Sequence, residues 1–190
     1  MREYLKDTKF LSMLDEMRIK KHYARLTILT FIDEKPIREI QGIATAGSCT
    51  VNGQAALRRT ISLTVSNIED ENDITNVENL ISLNKKVRVE IGLENPFEDY
   101  KSYGDIIWFP LGIYVITSAT TSTTASSSNI SISGKDKMSL LDGTCGGTLP
   151  AATTFHETQY EDENGDIRVE DVPIFTIIKE CITHFGKEPE

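Results

Sequence analysis

A chain of 190 residues allows one sizeable domain or two small ones and excludes a large multidomain enzyme. Lys and Arg number 20 against 29 Asp and Glu, a net charge of −9 that would repel a polyphosphate, so nucleic acid is not an expected ligand. Apolar residues make up 39%, above the disordered class, and a chain this long buries about two-thirds of its unfolded surface, so it is expected to fold without staples.

Residues 2–21 place Leu5, Phe10, Leu14 and Met17 among charges at spacings of three to five with no Gly or Pro, the pattern of an amphipathic helix. Its apolar stripe needs a partner. Because the segment precedes the rest of the fold as an arm, that partner is either the chain's own core or another chain. From Tyr23 the period changes to two: Ala24, Leu26, Ile28 and Ile32 alternate with Arg25, Thr27 and Thr30 in a strand that Asp33–Pro36 turns. Strands are predicted at 37–46, at 48–51 ahead of the Asn52-Gly53 turn, and at 59–65, where Ile61, Leu63 and Val65 share one face; the Asn-Gly pair is a strong hairpin signal. Residues 67–86 read as a long connection with room for a short helix, after which Val87, Val89, Ile91 and Leu93 resume the alternation and another strand follows at 108–116.

The run 117–128, TSATTSTTASSS, has the composition of a linker, but Thr is a β-former and alternating strands flank it, so a long hairpin with a solvated tip is predicted. A short helix at 136–141 leads to Gly143. Segments 155–160 and 167–170 flank Asn164-Gly165, a second hairpin signal. Pro173 then opens a helix whose apolar face is Ile174, Ile177, Ile178, Cys181, Ile182 and Phe185, closed by Gly186. At least eight strands with helices at both ends and no βαβ alternation predict a mainly β fold, a β-barrel or sandwich with flanking helices. The chain divides into an N-terminal helical arm, 1–22, and a β-barrel-like domain, 23–190, that carries the C-terminal hairpin and helix.

Residue types that carry chemistry are sparse. Cys49, Cys145 and Cys181 lie far apart without a CxxC pair, which fits neither a disulfide framework nor a zinc module and reads as reduced thiols. Cys181 and His184 stand at i and i+3, but two ligands are half a metal site, and Cys181 on the apolar face is expected as a buried thiol. The segment 161–166 imitates a calcium loop, yet counting from Asp162 it has Ile167 where the turn needs Gly and Pro173 where a bidentate Glu belongs. The acidic run Glu69–Asp73 reads as a wet loop. Gly143, Gly146 and Gly147 lack the lysine and spacing of a phosphate loop, and there is no Gly-x-Ser-x-Gly elbow. The opening MREYLKDTKF carries charges where a signal peptide has its apolar core, so secretion by that route is not expected. The longest apolar stretch, Ile106–Ile116, is about half of what a membrane span needs, and Pro110 and Gly112 break it.

Three stretches taken together, SCTVNGQAALRRT from Ser48 to Thr60, WFPLGIYVI from Trp108 to Ile116, and SGKDKMSLLDG from Ser133 to Gly143, resemble tail and baseplate hub proteins of bacteriophages infecting Gram-positive hosts. The stretch from Gly146 to Ala151 and the ending His184-Phe185-Gly186 extend the similarity over about residues 20 to 186. The resemblance implies a tube-like β-barrel domain related to the hub of contractile tails, found in the family within a longer chain. It implies a hub- or wedge-like structural role in the virion, assembled in the host cytoplasm, with other tail proteins as partners and a homo-oligomeric ring around the tail axis. It brings no catalytic residues and no cofactor. Rival readings are a tail-tip cell-wall hydrolase, which needs a converging acid, nucleophile or metal set, and a host carbohydrate-binding module, which needs more aromatic platforms. Arg58 and Arg59 put one guanidinium on each face of a strand, and because Arg is favoured in desolvated ion pairs, both an intersubunit contact and a surface pair within the monomer are open to them. The candidate interface residues are therefore Leu5, Phe10, Leu14, Met17, Arg58 and Arg59.

Overall fold

In the computed structural model, which describes residues 2–18, 20–55, 57–66, 85–123, 128–145, 158–170 and 172–185, six antiparallel strands close into a barrel. They are β1 (His22–Leu29), β2 (Pro36–Val51), β3 (Arg59–Ser66), β4 (Lys86–Glu94), β5 (Ile106–Thr123) and β6 (Ser128–Asp136). Around the barrel they run β1-β2-β3-β6-β5-β4. Two three-stranded meanders, β1-β2-β3 and β4-β5-β6, are thus joined at both edges, β3 to β6 and β4 back to β1. The fold is mainly β with short flanking helices, as the alternation predicts.

Every second side chain along the strands points inward. Leu26 and Ile28 from β1, Leu63 and Val65 from β3, Val87 and Val89 from β4, and Ile130 and Ile132 from β6 are buried in one continuous core. Each contributes about 1.5–3 kcal/mol by leaving water. The strands are strongly staggered: partners followed from Leu29 through Lys86, Val115, Lys135 and Thr60 arrive at Thr50, whereas Leu29's partner on its other side is Pro36. Closure with that tilt is what removes the edges of most strands.

The separate strands predicted at 37–46 and 48–51 are one strand, β2. A bulge between Ala44 and Ala46 inserts Thr45, so that Ala44 faces Val65 and Gly47 faces Leu63. The inward phase changes parity there, which in sequence looks like a break. A second bulge leaves Leu111 unpaired between Pro110 and Gly112 on β5. Proline is tolerated at such a point because the ladder is already interrupted.

The predicted helix over 2–21 is shorter and divided. A 3-10 turn at Glu3–Leu5 precedes α1 (Thr8–Glu16), and Asp7 is the N-cap, its carboxylate accepting from Phe10 N at 3.0 Å. Phe10 and Leu14 are buried with Tyr4 and Ile107 in a second core, which Phe97, Tyr100 and Tyr103 of the β4–β5 connection complete. The Phe10 ring meets Tyr103 edge-on at 5.1 Å.

The Ser/Thr run extends β5 to Thr123 and pairs with β6 from Ser128; the tip, 124–127, lies outside the described residues, as do residues 67–84 of the connection predicted at 67–86, whose last residue, Lys86, already opens β4. The helix predicted at 136–141 is a 3-10 turn, Lys137–Leu140, capped by Asp136. β7 (Thr158–Glu161) and β8 (Ile167–Glu170) pair around Gly165, whose φ of +83 suits the tight turn. The first residues of the segment predicted at 155–160 lie outside the described residues. α2 (Ile174–Glu180) follows and passes into a π-turn at Cys181–Phe185. Among the described residues no helix is long and apolar enough to cross a membrane.

Candidate functional site

Three stretches distant in sequence meet at one joint of the barrel. Asp136, at the end of β6, is buried; its Oδ2 accepts from the backbone N–H of both Arg58 and Arg59 at 2.8 Å, and its Oδ1 from Met138 N at 3.0 Å. Three amide donors satisfy a carboxylate that would otherwise be costly to bury. The Arg59 guanidinium lies over the Tyr114 ring at 5.9 Å, and its Nη1 approaches the Leu111 carbonyl at 3.4 Å. Tyr114 donates to the same carbonyl at 3.1 Å and has the Cys49 thiol 3.4 Å away. The bulge at Leu111 turns this carbonyl toward both donors. Burial pushes the Tyr114 hydroxyl well up, the Cys49 contact adds to that, and Arg59 opposes it without reversing it. Tyr114 is therefore a hydrogen-bond donor here, not a base.

Beside this joint the barrel mouth holds a cleft of about 400 Å³ whose wall includes His22, Ala44, Cys49, Ile61, Ile91 and Leu111. The volume suits a small apolar group. Its polar atoms do not converge as an acid–base pair: the Cys49 thiol is engaged with Tyr114 rather than with His22. Among the described residues no group of three or more His, Cys, Asp or Glu side chains is placed to share an ion. Asp162 Oδ1 accepts from the backbone of Asn164 and Asp166 at 2.9 and 3.0 Å, so the pseudo-calcium loop is an Asx-type hairpin turn. The run 69–73 lies outside the described residues. Cys181, expected as a buried thiol, is half-exposed.

The arm's candidate interface residues are placed within the chain. Phe10 and Leu14 are buried, and Leu5 and Met17 pack at the edge of the same cluster. Of the two readings open for this stripe, the chain's own core is the one seen. Polar contacts fasten it: Arg2 and Tyr4 bond to the Trp108 carbonyl, Arg2 pairs with the buried Glu90, and Arg25 holds Glu90 from the other side at 2.5 Å while stacking on the Trp108 ring at 4.4 Å. The two arginines do not share a strand as predicted: β3 opens at Arg59, and Arg58 belongs to the connection before it. Arg59 is the half-buried one at the joint, and Arg58 is exposed.

A second cluster went unread in the sequence. Glu34, in the β1–β2 turn, accepts at one oxygen from Lys86 and Lys137, each at 2.9 Å. Lys86 is 0% exposed. Burial alone would raise the Glu34 carboxyl, but the two lysines outweigh it and hold it below its ordinary value. Glu34 also takes a left-handed φ of +52, unusual for a residue with a side chain. The only sequence signal was a lysine, Lys86, opening an alternating apolar strand.

Among the described residues large apolar side chains stand exposed on the barrel and on the C-terminal unit. Ile32, Ile37, Val51 and Met138 lie on the barrel, and Ile167, Ile174, Phe175, Ile178 and Ile182 lie on the C-terminal hairpin and helix. No residue of α2 is buried. A helix whose apolar stripe faces solvent is a surface for protein contact. No family model matches the chain, and neither a curated protein nor a solved structure matches it significantly.

Proposed function

We propose that the chain is a structural, non-enzymatic component of a bacteriophage tail or of a tail-derived injection device, hub- or wedge-like, assembling through protein interfaces around the tail axis. The observation that carries this reading is the joint at Asp136. The three phrases that resemble tail hub proteins supply Cys49 and Arg59, then Leu111 and Tyr114, then Asp136 and Met138, and these residues form one contact cluster. A similarity scattered along the sequence is thereby gathered into one building block of a barrel. The acidic balance supports the role physically, since a wall around a DNA channel must not bind what passes through it. The virion is the place this reading gives the protein, with assembly in the host cytoplasm.

The rival is a tail-tip hydrolase, and it is tested directly by incubating the purified protein with Gram-positive cell walls. No sugar or peptide release is expected, with or without added zinc or calcium. Release that a single substitution abolishes would replace the structural reading with the enzymatic one.

A further inference from the structure

One stretch of the barrel keeps an unpaired edge. β2 pairs with β1 from Pro36 to Ile43 and with β3 from Ile43 to Val51, so beyond Ile43 it has a neighbour on one side alone among the described residues. The cause is the course of the chain: β1 opens at His22, and the segment before it leads to the arm, whose apolar side packs on the β4–β5 connection. Asn52 N donates to the Arg58 carbonyl at 2.7 Å, which sets the phase of the β2–β3 ladder. By alternation Thr50 and Ser48 turn their backbone groups to β3, while Val51, Cys49 and Gly47 turn theirs to the open edge. All three of these residues are exposed.

The edge is unguarded, and the cleft of the barrel mouth lies beside it. Exposed edges are ordinarily blunted by charge, by proline or by brevity. Residues 42–57 carry no charged side chain and no proline, in a chain of which 26% is charged. On the inward row Ala44 and Cys49 stand opposite Val65 and Ile61. These small side chains leave room for the cleft of about 400 Å³, whose wall takes in every residue from Ala44 to Cys49 and which His22, Ile91 and Leu111 help to complete. Backbone donors and acceptors of a strand edge thus stand next to a socket of mainly apolar side chains.

We infer that this edge binds an extended segment of another protein by strand addition: the backbone of the segment bonds to Gly47, Cys49 and Val51, and a large apolar side chain on its inward row enters the cleft. The occupant follows from the chemistry. Alternating N–H and C=O groups along an extended chain are matched by a second extended chain, and an apolar cleft admits no unpaired charge, so the segment is uncharged where it pairs. A second copy's own edge is a poorer match. It offers Ala44, Gly47 and Cys49 again, which leave the cleft unfilled, and it brings together two chains of net charge −9. The inference rests on the barrel alone and stands or falls apart from the tail reading.

The test uses the full chain and a synthetic probe, an acetylated and amidated peptide of alternating Thr and Leu, with amide hydrogen exchange read by NMR. In the free protein the amides of Ser48 and Thr50 are expected to exchange slowly and those of Gly47, Cys49 and Val51 fast; the peptide is expected to slow the latter three at least about tenfold. Methylating the peptide's alternate amides separates strand addition from unspecific adhesion: the set facing β2 is expected to weaken binding at least about tenfold when methylated, and the other set to leave it unchanged. Exchanging Leu for Ala in the peptide empties the cleft and is expected to weaken binding at least about tenfold. Val51→Pro removes one edge donor, keeps the β2–β3 ladder and its cooperative melting, and is expected to bind about tenfold more weakly. The inference is overturned by a peptide that does not bind, by equal effects of the two methylated sets, by Val51→Pro binding as well as the unaltered chain, or by protection of the three amides that grows with protein concentration alone, which makes a second copy the occupant.

Discussion

Lys86 and Glu34 form an ion pair at 2.9 Å whose cation is wholly shielded from solvent, and Lys137 shares the same carboxylate oxygen. Removing the anion leaves a buried ammonium short of its main partner, whereas removing Lys86 leaves Glu34 with Lys137 and some access to water. Glu34→Gln is expected to lower unfolding stability by on the order of 2–3 kcal/mol, and Lys86→Met by less. Urea titrations of both variants check the order, and a larger loss in Lys86→Met would contradict it.

The same carboxylate sets a pH dependence. Its value is depressed in the folded state below the ordinary 4.5, so its contribution is fully present above 4.5 and is lost as pH falls through the lowered folded value. The urea midpoint of the native chain is expected to fall below about pH 4.5 more steeply than that of Glu34→Gln. Parallel acid limbs would show that the lysines do not hold Glu34 ionised.

The arm is part of the folded body. Phe10→Ala opens a cavity among Tyr4, Ile107 and Tyr103 and is expected to cost about 3–5 kcal/mol. Deleting residues 1–20 uncovers Ile107 and takes Arg2 from the buried Glu90, and a lower melting temperature is expected for the remaining barrel. A truncated chain as stable as the whole would return the arm to the role of a trans contact.

Much of this was legible in the sequence, and the reasons for the rest are physical. Ile61, Leu63 and Val65 alternate cleanly, so β3 is read directly, and the hairpin through the Ser/Thr run follows from the β-forming character of Thr. Whether the strands close is not readable, because pairing β1 to β4 joins two strands of similar pattern with no local signal for their register. The cap at Asp7 was available as an Asp three residues before Phe10, but the apolar spacing from Leu5 onward masked it. The partner of the arm was also written, as Phe97, Tyr100 and Tyr103 at three-residue spacing, in a segment short enough to pass for a loop. Glu34, Lys86 and Lys137 are brought together only by the closed barrel.

Gly112 adopts a φ of +130, and a β-carbon there would stand 2.6 Å from Arg59 Nη1. Gly112→Ala is expected to cost about 1–3 kcal/mol through backbone strain and to push the guanidinium off the Tyr114 ring. Loss of stability without that displacement in the variant's structure would mean that the strain acts on the bulge alone. Tyr114→Phe, which keeps the ring under Arg59 but loses the bond to the Leu111 carbonyl, is expected to cost about 1 kcal/mol.

The proposed structural role in a phage tail is tested most directly by an electron cryo-microscopy reconstruction of the tail of a particle in which this chain is detected. The account expects the six-stranded barrel repeated symmetrically around the tail axis, with the C-terminal helix seated against a neighbouring protein. A tail reconstructed at side-chain detail without this barrel, or with a single peripheral copy, would contradict it.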